Sequence, residues 1–275
     1  IQKNFGFDKP LHIRYLLWLK RALTLDFGRS YMDQQPVRTK IFQGLLVSLQ
    51  ISFTSIILIY LIAVPIGVFC AVKQDRFSDR VITVGLFVLY SLPNFWVGTL
   101  MIVFLCNDEY IYLFPVAGLN SLGAEDHGLW KWFIDRLWHL VLPIACMTYG
   151  GLASLSRYSR SGMLEVIRQD YITTARAKGL SEKLVIFRHA MRNSLIPIVT
   201  LAAALLPALL GGSVIIENIF SIPGMGNLTF EAIMNRDYNL IMGIFTVSAM
   251  LTLLGILMSD ILYVLVDPRI SFESR

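Results

Sequence analysis

Charge is what this sequence has least of. Asp, Glu, Lys and Arg make up 16% of its 275 residues, against about 25% in a soluble domain. The missing charge is replaced by long apolar blocks, so the bilayer is the expected solvent. The apolar runs are continuous and do not alternate, which favours helices over a β-barrel. There is no GxxxxGK[ST] and no Gly-Lys dipeptide, so the chain has no phosphate loop to cradle ATP. HExxH and GxSxG are absent as well, so neither metal-assisted nor serine hydrolysis has a motif here, and no catalytic residue or metal site is assigned. Cys70, Cys106 and Cys146 are odd in number, lack CxxC spacing and lie in or beside apolar blocks. They read as packing residues. The chain begins with Ile and shows no signal peptide, so it reads as truncated or processed, with room for a segment upstream.

Five blocks are long enough to cross a membrane, at 44–72, 81–106, 137–156, 195–219 and 240–266. Lys and Arg are dense in 73–80 (three), in 157–194 (eight) and in the tail after Val266 (two). They are sparse in 107–136 (two) and 220–239 (one). By the positive-inside rule the first three segments face the cytoplasm. The net charge of +5 therefore reads as a topology signal, not as nucleic-acid binding. Residues 1–43 carry eight Lys and Arg yet fall outside by parity; a preceding helix with its own basic end would set that orientation. Within them PLHIRYLLWLKRAL has helical periodicity. Prolines at 65, 93, 143, 197 and 207 sit inside the blocks and permit kinks. Small residues at Gly150, Gly151, Ala153 and Ser154, and at Gly211, Gly212 and Ser213, permit close helix approach.

The segment QDYITTARAKGLSEKLVIFRHAMRNS, 169–194, is helical in pattern but too polar to span. Gly179 reads as a left-handed helix stop and Ser181 as the N-cap of a second helix. The first helix is read as showing Thr174, Ala175 and Ala177 outward. Small residues suit insertion into a protein groove, with the surrounding cations meeting acidic groups. A solvated basic loop, or a helix lying on anionic lipid, fits the composition equally.

Other marked residues are weaker. Asn94, Thr148, Tyr149 and Ser154 are candidates to line a translocation path, although such residues more often hydrogen-bond between helices. Glu217, just before the turn at Pro223 and Gly224, is a candidate for the outer mouth or a mark of the membrane edge. Asp260 in the last block reads first as structural, and Trp138 with His139 as an interfacial anchor.

These segments also carry a family resemblance. TARAKGL and RHAMRNSLIP resemble the cytoplasmic loop of permease subunits of ATP-binding-cassette importers, in the dipeptide, oligopeptide and nickel group. FGFDKPLHIRYLLWL, LDFGRSY, SLPNFWVG, LFPVAGL, IIENIFSIPGMGNL, NRDYNLIMG and SDILYVLVDPRI match the group's pattern in order, over nearly the whole chain. DPRISFESR and GFDKPLHIRY lean towards the branch for longer peptides and microcin C.

The resemblance implies an all-α, type I importer transmembrane domain: five spans here and a sixth upstream of Ile1. Residues 1–43 would be periplasmic, 44–266 the membrane domain with its loop at about 157–194, and 267–275 a cytoplasmic tail. Tyr171, Thr174, Ala175, Arg176, Ala177, Lys178 and Gly179 would dock into an ATPase subunit. The general motif of such loops begins Glu-Ala-Ala; here those positions are Thr173, Thr174 and Ala175, without the acid. The implied setting is the bacterial inner membrane. The implied partners are a second, different permease, two ATPase subunits or domains carrying ATP and Mg, and a periplasmic or extracellular binding protein, with no cofactor on this chain. An ion-coupled secondary transporter or channel is the alternative, although the mid-span regions carry almost no charge. A membrane enzyme has no catalytic constellation to rest on.

Overall fold

The protein's structure, a computed structural model, describes residues 10–195, 198, 201, 205, 209 and 211–266, the last five by backbone alone. It is helical throughout these residues apart from isolated bridges and turns. The predicted amphipathic stretch forms α1 (Leu11–Leu23). A short hairpin follows, closed by Ser30 N–H to the Gln35 carbonyl (2.9 Å), and leads into α2 (Val37–Val72). α3 (Phe77–Ser91) and α4 (Asn94–Leu105) come next, then the longest helix, α5 (Leu129–Ile167).

At 36 and 39 residues, α2 and α5 are about 54 and 58 Å long. Both exceed the roughly 30 Å hydrocarbon core, so their ends carry structure beyond the bilayer. Small residues let the two helices touch. A Cβ on Gly67 would lie 2.5 Å from the Ser156 carbonyl oxygen and from Ser159 Cβ, and Gly151 abuts Ile59. Ser159 Oγ donates across the contact to the Val64 carbonyl at 3.1 Å. Pro65 and Pro143 sit inside unbroken helices.

The kink falls elsewhere. The block 81–106, expected as one span, is α3 and α4 meeting at 93°. Pro93 cannot donate a backbone bond, and it forces Leu92 into an extended conformation (φ −84°, ψ 126°). The Leu92 carbonyl takes a hydrogen bond from the Tyr149 hydroxyl at 3.0 Å. Among the described residues three helices are long and apolar enough to cross a membrane, α2, α5 and the last; the bent pair would make a fourth. The expected span 195–219, with Pro197 and Pro207, lies largely outside the described residues. Its last part is not one helix: the chain turns at Gly212 (φ 63°) before a short helix at Val214–Ile219.

After α5 come α6 (Asp170–Ala177), α7 (Glu182–Leu184), a π-helical turn (Val185–Ala190) and α8 (Met191–Ser194). The chain closes with α9 (Val214–Ile219), α10 (Met225–Met234) and α11 (Tyr238–Val266). The main apolar core joins α2 to α5 and α9 through Ile51, Leu140, Cys146 and Ile216. A second core sits where the basic loop meets α2 and α5, and a third joins α2, α10 and α11. All three cysteines are buried. Much of the outward surface is apolar, including Phe53, Phe87, Phe245 and Leu253, as a lipid-facing surface requires.

Candidate functional site

The basic loop begins where α5 stops. Arg168 ends the helix, Gln169 is extended (φ −75°, ψ 149°), and α6 starts at Asp170 in a new direction. α6 ends in a paired closure. Gly179 N–H bonds the Arg176 carbonyl (2.9 Å) and Leu180 N–H bonds the Ala175 carbonyl (3.4 Å). This is the Schellman arrangement, which needs a left-handed residue after the cap. Gly179 supplies it with φ 77°, and nothing lies within 4 Å of where its Cβ would be. The constraint at Gly179 is thus torsional and not steric. Ser181 sits at the expected N-cap position, but its side chain makes no capping bond. Arg176 Nε reaches over the turn to Glu182 Oε1 at 2.8 Å.

One face of α6 is committed to the chain's own core. Ile172 is fully buried and Ala175 is 7% exposed, packed with Val68, Ala71, Met163, Val185 and Ala190. Ala175 was expected to point outward. It points inward because it lies three residues after Ile172, on the same helical face. Tyr171, Thr173, Thr174, Arg176, Ala177, Lys178 and Gly179 are exposed. The Thr174 hydroxyl donates back to the Asp170 carbonyl (2.9 Å), so the outward face is smooth and made of small groups beside cations.

The loop stands on a stiff base. Near its foot, Arg160 of α5 grips the buried Asp79 of α3 with two bonds, Nε–Oδ1 at 3.1 Å and Nη2–Oδ2 at 2.8 Å. The Asp75 backbone N–H also donates to Asp79. Sequence reasoning missed this pair. Its one signal is an acid, Asp79, set among the cations of 73–80.

The candidate path residues do not share one environment. Asn94 is exposed at the first position of α4, beside Gly150, and Ser154 is exposed on α5. Thr148 is buried and bonds the Ile144 carbonyl (2.7 Å). Tyr149 is spent on Leu92, as described. The Thr148 and Tyr149 hydroxyls therefore hold helix geometry, and Asn94 and Ser154 are left exposed.

At the end of the molecule opposite the basic loop, Glu217 is 2% exposed. Its carboxylate accepts from Ser48 Oγ (2.7 Å), Ser213 N–H (3.2 Å) and Asn227 N–H (2.9 Å). Gly212 and Gly224 lie against this carboxylate, where a Cβ on either would collide with it. Pro223 sets the turn that delivers Gly224. Asp237, also buried, accepts from Ser30 Oγ (2.5 Å) and the N–H groups of Tyr31 and Leu240, clamping the hairpin to the start of α11. Sequence reasoning passed over Ser48 and Asp237, whose partners lie 169 and 207 residues away. His139 is buried and Trp138 donates to the Leu113 carbonyl (3.0 Å).

Residues 63–272 match the family described as binding-protein-dependent transport system inner membrane component. The chain is 38% identical to the oligopeptide transport system permease protein AppB of Bacillus subtilis, over 98% of this chain and 84% of that protein. It is 36% identical to the inner membrane ABC transporter permease protein YejB of Escherichia coli O157:H7, over 100% of this chain and 76% of that protein. The fold resembles the MetNI methionine ABC transporter in an inward-facing conformation, with a TM-score of 0.62 at 18% identity, covering 82% of this chain and 96% of that one. The chain belongs to the family of binding-protein-dependent transport system inner membrane components. That membership displaces the ion-coupled transporter or channel considered from the sequence.

Proposed function

We propose that this member of the family is a permease subunit through which peptides or peptide-like cargo are imported, driven by ATP hydrolysed on separate subunits. Peptide cargo rests on the names of its relatives, which include oligopeptide and dipeptide permeases. Separate ATPases fit a chain with no phosphate loop. The observation that carries the coupling role is α6: an eight-residue helix with a small-residue outer face, packed by Ile172 and Ala175 onto the ends of α2 and α5. Such a helix can enter a groove on another protein, and any push on it passes directly into the two longest helices.

The mechanism follows from that connection. Closing and opening of the ATPases displace α6, α5 moves with it, and the path between the permease subunits faces one side of the membrane and then the other. The basic loop and the tail after α11 lie on the cytoplasmic side, by the distribution of Lys and Arg. A binding protein delivers cargo at the opposite end, and a second permease of different sequence completes the path. Tyr171, Thr174, Arg176, Ala177, Lys178 and Gly179 form the docking surface, while Ala175 supports it from beneath.

Ala177→Arg tests this reading in the assembled transporter. The substitution places bulk and charge on the outer face and leaves the buried face intact. Membrane insertion is expected to be unchanged, with ATPase co-purification and peptide uptake both reduced about tenfold or more. Unchanged co-purification and uptake would remove the docking role.

A further inference from the structure

The cations of the basic loop divide into two sets. Arg160 is paired with Asp79 and Arg176 with Glu182, and Arg168 reaches Gln74. Arg157, Lys178, Lys183, Arg188 and Arg192 have no ion pair or hydrogen bond among the described residues, and of these Arg188 and Arg192 stand together. They line an open hollow of about 460 Å³ together with Tyr171, His189 and Asn193. No carboxylate among the described residues lines it. Asn193 Nδ2 donates to the Tyr171 hydroxyl oxygen at 2.7 Å, which fixes the phenol and leaves its proton free to donate. Arg188 and His189 are carried on the π-helical turn Val185–Ala190, a distortion that is common at functional sites. Two guanidinium groups and one O–H thus converge beside the exposed face of α6.

We propose that this hollow receives a carboxylate side chain of the ATPase subunit, held by the Arg188 and Arg192 guanidinium groups with a third bond from Tyr171. Guanidinium forks match a carboxylate in a bidentate arrangement. The inference rests on the docking reading of α6 and names the chemistry that the partner must present. Leu184 and Phe187, exposed on the same stretch of chain, supply apolar surface near the charged centre, as interface anchors commonly have. Small residues on α6 next to the hollow leave room for a protein surface to close over it. Docking is then electropositive on this chain, with both guanidinium groups of the hollow supplied by the second helical segment of the loop.

The test uses the assembled transporter. Arg188→Glu with Arg192→Glu is expected to cut ATPase retention about tenfold, since reversing a docked charge pair costs binding directly. Lys183→Glu, an exposed cation of the same loop outside the hollow, should stay within about twofold of the parent. Retention equal to the parent would overturn the proposal, and so would an equal loss from Lys183→Glu, which would mean diffuse charge. Replacing Tyr171 by p-benzoylphenylalanine gives an independent readout that does not depend on tolerating the charge reversal. Photocrosslinking to the ATPase is expected, and crosslinking only to lipid or to the second permease would overturn it. Anionic lipid is the rival occupant. If native mass spectrometry shows the double reversal stripping phosphatidylglycerol from the permease while ATPase retention is kept, the hollow is a lipid site and the proposal fails. Ala177→Arg separates the levels. Loss there with retention in the double reversal removes only the hollow, whereas retention in both removes the docking reading too.

Discussion

The two ends of the molecule are held together by opposite means. At the end away from the basic loop, order depends on buried acids. Glu217 and Asp237 are almost wholly enclosed and have no ion pair among the described residues; backbone N–H groups and serine hydroxyls satisfy them. At the basic end, apolar packing under Ile172 and Ala175 and a glycine closure do most of the work, and cations are left on the outside. A carboxylate bonded by several fixed donors sets one geometry and leaves little charge to offer a partner. A smooth helix ringed by arginines does the reverse. One end keeps its own loops in register, and on the docking proposal the other is held by a partner.

The sharpest way to break this contrast is at the acids. Glu217→Ala strands the Ser48 hydroxyl and two backbone N–H groups in a buried site, at about 1–3 kcal/mol for each unsatisfied group. The expected result is loss of most folded protein after detergent extraction, read by size-exclusion chromatography. Glu217→Gln keeps the shape and should recover part of the yield. Next in size is Arg160→Met. It leaves Asp79 buried without its cation, at about 3 kcal/mol, and should lower the thermal midpoint while α6 keeps its exposed surface. A normal midpoint would mean that the pair does not anchor α3 to α5. Within α6 the contrast can be drawn at neighbouring residues. Ala175→Leu overpacks the core, at about 1–3 kcal/mol. Ala177→Leu should change stability by no more than about 0.5 kcal/mol while still weakening ATPase co-purification. Equal destabilisation by both would erase the inner and outer faces assigned here. The smallest effect belongs to Tyr149→Phe, which frees the Leu92 carbonyl at the bend, at about 1 kcal/mol. A larger loss would show that the bend depends on this one bond more than on Pro93.

Helix existence was legible because uniform apolar runs and a helical period are local signals. Gly179 was legible for the same reason, since a glycine after a short polar helix has one common use. The bend at Leu92–Pro93 was not. Five prolines sat inside the expected spans, and nothing local distinguishes Pro93 from Pro65 or Pro143, which unbroken helices absorb. The inward turn of Ala175 was hidden because alanine carries no preference between a core and a groove. Ile172, a clear apolar residue three positions earlier, was the usable clue. Glu217 and Asp237 were opaque in a different way. Their partners are serines and backbone groups far away in sequence, and a serine's role in such a bond has no local pattern.

The contact between Gly67 and Ser156 has a further mechanical meaning. Backbone meets backbone so closely there that no side chain fits between α2 and α5, and a rotation of α5 about this crossing would carry its two arms unequally. From Ser156 the α5 arm towards Ile167 is about 16 Å and the arm towards Leu129 about 40 Å. A turn of about 5° would move the near end by roughly 1.4 Å and the far end by roughly 3.5 Å. The crossing is a fulcrum with unequal arms, and a glycine sets its gear ratio: a modest stroke on the short side arrives more than doubled on the long one.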